Sequence, residues 1–203
     1  MLNNKFSKGV IFSCIAAIFW GLPQPLFFNE LNHVETIEVV AHRGFWSFIF
    51  LFLLLILISN ISDFIEIFKS RKRIFILTIT AFLIAGNWAG FIYSVGQERV
   101  QDASMGYFIT PMISIVLGYF FLNEKITKPK FASVCFMLSG ILFLFINLNQ
   151  FPFLIIWIGT SWAIYGLLRK QVNVNPSIGL LYETFIISLI CLLYTSPSPR
   201  DRG

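Results

Sequence analysis

Charge is scarce in this chain: of its 203 residues only 12% are Asp, Glu, Lys or Arg, against about 25% in an ordinary soluble domain. That shortage excludes a water-soluble fold, a disordered chain and a nucleic-acid-binding domain, since none can be built with so little polar surface. Cysteine is scarce as well. Cys14, Cys135 and Cys191 lie far apart and form no CxxC pair, so neither a metal site nor a disulfide framework is indicated. The chain also lacks an HExxH sequence, a Ser/His/Asp set and a phosphate-binding glycine loop, and nothing in it asks for a cofactor. Apolar material is what abounds: 57% of residues are hydrophobic, 24 are Phe, and mean hydropathy is +0.77. A polytopic membrane protein, with the lipid bilayer as its main contact, satisfies all of these conditions.

A spanning helix needs roughly 20 apolar residues, and six complete runs of that kind occur. Their limits are Val10–Phe28, Ile37–Ile58, Ile74–Val95, Ala103–Leu122, Phe131–Asn147 and Phe151–Leu168, and a seventh begins near Ile178 and is still apolar at Ile190. The runs are apolar on every face, which predicts helices and excludes the alternating ~10-residue strands of a membrane barrel. The first run outlasts a signal-peptide core and no A-x-A site follows it, so it is expected to remain as a helix. Between the second and third runs, Ile61, Phe64, Ile65 and Phe68 keep the i, i+3, i+4, i+7 spacing. They predict a short helix on the membrane surface or a loose continuation of the second span.

Basic residues fall almost wholly on one side of these spans. Lys5, Lys8, Lys69, Arg71, Lys72, Arg73, Lys125, Lys128, Lys130, Arg169 and Lys170 share a side, while the opposite side has Arg99 alone. The bias predicts a cytoplasmic amino terminus, and it explains the net charge without a nucleic-acid partner.

A shift of 145 residues superposes Ile11 on Ile156, Gly21 on Gly166, Leu22 on Leu167 and Glu38 on Glu183, with Trp20 falling on Tyr165. The shift pairs span one with span six and span two with span seven. Five spans separate the copies, so the second copy enters the membrane from the other side, as in the inverted repeats of secondary transporters. The expected organisation is a first five-helix unit at 1–147, the start of a second at 151–190, and a full chain near 2 × 145 residues. Residues 191–203, with Thr195-Ser196-Pro197-Ser198-Pro199, look like a translated sequencing adapter and are expected to be a non-native tail, the chain being a fragment.

A charge at mid-bilayer costs ~2.5 to 3.5 kcal/mol on insertion scales, so each one found there asks for a partner or a function. Glu38 and His42 are four apart on one face of span two, Trp46 continues that face, and Arg43 is one step round the helix. Either Glu38 and Arg43 are interfacial anchors, or this face lines a translocation cavity in which His42 or Glu38 exchanges a proton. Asn87 and Trp88 occupy the middle of span three. Span four opens with small residues and Tyr107 and is expected to break at Pro111, as span one is at Pro23 and Pro25. Such breaks serve a packing kink or a cavity-lining helix equally well.

The string Glu38-Val39-Val40-Ala41-His42-Arg43-Gly44-Phe45-Trp46-Ser47 resembles the E-x-x-A-H-R-x-x-W-S signature of the RarD branch of the EamA group, within the drug/metabolite transporter superfamily. Asn87-Trp88, Ala103 to Pro111 with Phe121-Leu122-Asn123-Glu124, Tyr165-Gly166-Leu167-Leu168-Arg169-Lys170 and Glu183-Thr184 resemble further stretches of that family. Asp102, Thr110 and Asn123 stand where the family has Glu, Asn and Gly. The resemblance implies an all-α transporter fold of ten spans in two inverted five-helix units, and an inner-membrane permease historically linked to chloramphenicol sensitivity. Its members are expected to work alone or as small homo-oligomers.

Together these readings predict alternating-access transport of a small metabolite or drug-like solute. The cavity is expected to be lined by Glu38, His42, Arg43, Asn87, Trp88 and Tyr107 and, from the second unit, Tyr165 and Glu183. A non-transporting scaffold or sensor is the alternative; a membrane-embedded enzyme has only the Glu38/His42 pair to support it.

Overall fold

In a computed structural model of the chain, which describes residues 2–57, 61–146 and 152–194, every regular element is helical among the described residues. The order is α1 (Leu2–Gly21), α2 (Pro23–Glu30), α3 (Thr36–Leu57), α4 (Ile61–Ile67), α5 (Arg71–Gly96), α6 (Val100–Leu122), α7 (Lys128–Ile146), α8 (Phe153–Val172) and α9 (Pro176–Tyr194). Four stretches among the described residues are long and apolar enough to cross a membrane: Lys8–Glu30, Thr36–Leu57, Arg71–Gly96 and Val100–Leu122. The sequence reading expected six full spans. Its fifth and sixth correspond to α7 and α8, of 19 and 20 residues, and its seventh to α9. The last nine residues of the expected tail, 195–203, lie outside the described residues, whereas 191–194 continue α9.

The core lies where α5 and α6 meet α8 and where α3 meets α9. Small residues set the closest of these approaches. A Cβ on Gly159 would lie 2.8 Å from the Gly106 carbonyl oxygen, and one on Gly106 would lie 2.8 Å from Ile158 Cβ. The backbones of α6 and α8 can draw this close only because both positions lack side chains, the usual device where lipid offers no hydrophobic drive to helix pairing. On α5, Trp157 of α8 lies over Gly86 and donates its Nε1–H to the Gly86 carbonyl at 2.9 Å. By contrast α1 is exposed from Lys8 to Gly21, and among the described side chains α7 buries only Ile141, so both present apolar side chains to the hydrocarbon.

Proline acts differently at its two expected break points. At the first, α1 stops at Gly21 and Pro23 begins a new helix, because a proline at the first helical position gives up a donor that would have had no partner. The second expectation is corrected: α6 runs unbroken through Pro111. A proline inside a helix costs one backbone hydrogen bond, and Thr110 beside it adds side-chain bonds to the Gly106 and Gly159 carbonyls at 3.2 and 3.4 Å.

The short helix between spans two and three is present as α4, but with a different inner face. Ile67 is buried, Phe64 is half-buried and Ile65 is exposed; α4 packs on α9, and Phe68 just beyond it sets its ring 5.7 Å from that of Tyr182. At the end of α6, Asn123 adopts φ 53°, the left-handed cap position that glycine and then asparagine tolerate best.

Candidate functional site

The break between α1 and α2 opens a groove against α3, with a volume of about 840 Å³. Its walls carry Trp20, Gln24, Phe28, Glu38, His42, Arg43 and Trp46. Helical spacing explains the α3 contribution: Glu38, His42 and Trp46 follow one another every four residues, while Val40, Ala41 and Gly44 turn to the core on the other side.

Arg43 reaches away from Glu38, across to the neighbouring helices. Its guanidinium carbon sits 4.2 Å from the centroid of the Trp88 ring on α5 and 5.6 Å from that of Phe28 on α2. With the Gln24 amide turned so that its oxygen faces the guanidinium, that oxygen accepts from Nη1 at 3.1 Å and from Nη2 at 3.3 Å; such amide orientations are assigned from the hydrogen-bond network. Among the described residues no carboxylate stands within ion-pair distance of Arg43. The cation is thus held by an aromatic face and an amide, and its charge is left unneutralised.

Beneath the groove, Asn87 is fully buried and ties three helices together. Its Nδ2 donates to the Ile158 carbonyl at 2.9 Å and to Ser161 Oγ at 3.0 Å, both on α8, and its Oδ1 accepts from the Tyr107 hydroxyl on α6 at 3.2 Å. Both amide donors are therefore used, which is how a polar group is kept stable in an apolar interior.

A second polar cluster surrounds Glu183, which is 0% exposed. Thr80 of α5 donates to Oε1 at 2.7 Å, the Tyr165 hydroxyl of α8 donates to Oε2 at 3.1 Å, and Arg169 Nε lies 3.6 Å from Oε1. Arg169 Nη2 donates to the Pro176 carbonyl at 3.1 Å, and its buried Nη1 finds no acceptor among the described residues. A carboxylate so deep needs this many partners, because a buried charge without them would cost several kcal/mol.

The groove and the cluster are joined by a run of rings. Trp20 meets Tyr107 at 6.3 Å, Tyr107 meets Trp162 at 6.5 Å, and Trp162 stacks on Tyr165 at 5.2 Å. The structure thus gathers Glu38, His42 and Arg43 in the groove wall, stacks Trp88 beneath Arg43, and sets Asn87 and Tyr107 behind them. Tyr165 and Glu183 sit in the second cluster.

Thr80, Ser161, Gln24 and Trp162 were not singled out from the sequence, and Arg169 was read there only as a basic residue and as part of the Tyr165–Lys170 stretch. One signal was available. Thr80, Asn87 and Ser94 recur every seven residues, two helical turns, and all three are fully buried on α5, so a polar stripe on an apolar helix marked this face. Among the described residues no group of three or more His, Cys, Asp or Glu side chains could hold a metal ion.

Comparison with known proteins gives the chain its relatives. The model of the EamA-like transporter family matches residues 7–146. An uncharacterized transporter of Vibrio cholerae is 31% identical over 96% of this chain and 65% of its own length. Protein RarD of Escherichia coli is 32% identical over 92% of this chain and 63% of its own. The uncharacterized transporter YojE of Bacillus subtilis is 31% identical over 96% and 66%. This chain spans a little under two thirds of the length of these relatives. No solved structure matches it.

Proposed function

Because the chain belongs to the EamA-like transporter family, a family of multi-pass membrane transporters, we propose that it moves a small metabolite or drug-like solute across the bacterial inner membrane by alternating access. In this reading the solute sits in the groove of Glu38, His42 and Arg43, with Trp88, Asn87 and Tyr107 behind it. Tyr165 and Glu183 belong to the second of two inverted units. The amino terminus faces the cytoplasm, on the side rich in Lys and Arg. Glu124 supports a shared end for two of those basic segments, since it pairs with Lys170 beyond the middle of α8 and with Lys130 on α7, at 2.5 and 4.0 Å.

The observation that carries the reading is Arg43. An arginine within a span is costly, and here its charge meets an aromatic face and an amide but no carboxylate among the described residues. The planar fork keeps N–H donors for an anionic group. Trp20, Phe27 and Trp46 line the same groove and offer apolar faces to the rest of a solute. Glu38 and His42, both open to the groove, exchange the coupling proton.

Purified protein in proteoliposomes, bathed in a ¹³C-labelled bacterial metabolite extract, tests this. At least one labelled species is expected to accumulate in the lumen, read by mass spectrometry, and to do so more strongly under an imposed pH gradient. A luminal profile equal to that of protein-free vesicles overturns transport. Accumulation unchanged by the gradient, or unchanged in the Glu38→Gln/His42→Ala double variant, overturns the proton coupling.

A further inference from the structure

Arg43 is met by one acceptor from its own chain, and that acceptor stands where an anion would. Gln24 lies in the first turn of α2, between Pro23 and Pro25, and is half-buried. With its amide oxygen turned to the guanidinium, that single oxygen accepts from Nη1 at 3.1 Å and from Nη2 at 3.3 Å. Both ends of the fork thus point at one acceptor, a geometry in which a guanidinium also receives a carboxylate. An amide carries no charge, so it fills the position without neutralising the cation. The guanidinium itself is held by the rings of Trp88 and Phe28. Gln24 is held less firmly. Among the described residues no side chain caps the first turn of α2, and this helix packs chiefly on α1 and α5, so the amide can leave Arg43 without breaking a buried network.

We propose that Gln24 is an internal stand-in for the solute: its amide oxygen occupies the seat on Arg43 that the carboxylate of a flat, apolar monoanion takes, and the solute binds by displacing it. A carboxylate brings a charge and two oxygens to the same fork, and its hydrogen bonds are shorter and stronger than those of an amide. A neutral molecule of the same shape offers only another uncharged acceptor and gains nothing by the exchange. Gln24 therefore sets specificity, as the competitor that every ligand of Arg43 must displace. It also keeps the donors of Arg43 satisfied when no solute is bound. Trp20, Phe27 and Trp46 of the same groove suit a flat apolar body. A single guanidinium beside a wall that also carries Glu38 suits one negative charge better than a doubly charged phosphate. The proposal rests on the reading of this groove as the solute site.

The test titrates the whole chain, purified in detergent, with radiolabelled benzoate, and challenges the complex with benzamide as the uncharged molecule of the same shape. Gln24→Ala removes the competitor and is expected to bind benzoate about tenfold more tightly than the parent. Gln24→Glu gives Arg43 a permanent carboxylate partner and is expected to bind it about tenfold more weakly. In an Arg43→Ala background the same two substitutions are expected to make no difference. A glutamine that only supported the fold would weaken binding in both variants, so the opposite signs carry the proposal. Weaker binding in both variants, unchanged binding in both, benzamide competing as well as benzoate, or no saturable benzoate binding in any variant overturns it. Benzoate affinities in the expected order, in a protein that moves no labelled solute, support the stand-in and sink transport. Solute flux with benzoate affinities indifferent to residue 24 sinks the stand-in and spares transport.

Discussion

The guanidinium carbon of Arg43 lies 4.2 Å from the centroid of the Trp88 ring, so a cation on α3 rests on an aromatic face of α5. A desolvated contact of this kind contributes up to about 2 kcal/mol. Replacing the planar group removes both the stack and the fork of donors, and Arg43→Lys is therefore not conservative. The expected result is a loss of solute uptake of about tenfold for Arg43→Lys and more for Arg43→Ala, with unchanged protein in the membrane. Equal uptake by the lysine variant would show that only charge matters there.

Asn87 sits at a junction where nothing else can take its place. Asn87→Leu leaves the Tyr107 hydroxyl without its partner and Ser161 with only its bond to the Ile158 carbonyl, and a buried orphan costs about 1 to 3 kcal/mol. A lowered midpoint of thermal unfolding in detergent is the expected readout. A midpoint at the level of the parent protein would mean that this amide is not fully engaged.

Gly106 and Gly159 predict a steric failure. Gly159→Ala places a methyl group 2.8 Å from the Gly106 carbonyl, so α6 and α8 must separate, at a cost typical of overpacking, about 1 to 3 kcal/mol. Gly140→Ala meets open space and is expected to leave the unfolding midpoint unchanged. Similar midpoints for the two variants would contradict the close approach.

Glu124 gives a pH dependence whose direction is fixed. Its exposed carboxyl is held below the ordinary 4.5, first by the hydrogen bond from Lys170, then by the charges of Lys170 and Lys130. A depressed acid stabilises the fold above its unfolded pKa, and that contribution fades as pH falls through the folded value. The parent protein is thus expected to lose stability below about pH 4.5, and Glu124→Gln to show less of that loss. Salt weakens the effect because the pair is exposed. Identical acid profiles for the two proteins would remove Glu124 from the account.

Orientation is checked at two loops. Single cysteines at Asn32, between α2 and α3, and at Lys69, between α4 and α5, are expected to react from opposite faces of the membrane. Reaction of both from one face would contradict the arrangement of α3.

Much of this was legible in the residues. Apolar runs located the helices, and Gly21 with Pro23 marked the end of α1. The periodicity of Glu38, His42 and Trp46 placed them on one wall. Other features depend on which neighbour packs where. Pro111 looked like a break, yet α6 continues because Thr110 and the close-packed α8 supply compensating contacts. The short-helix spacing of Phe64 and Ile65 did not reveal that Ile67 would be the residue buried against the bundle. The burial of Glu183 follows from the packing of α5 and α8 around it, which no local pattern in the sequence shows. Arg169 carried a basic, cytoplasm-marking signal in the sequence, and its approach to Glu183 follows from the turn between α8 and α9.

The most direct measurement compares luminal accumulation from the labelled metabolite extract in vesicles carrying the parent protein and in vesicles carrying Arg43→Ala at matched protein content. A species concentrated by the parent and reduced to the protein-free level by Arg43→Ala is the predicted result. Equal accumulation in both would contradict a solute path through this groove.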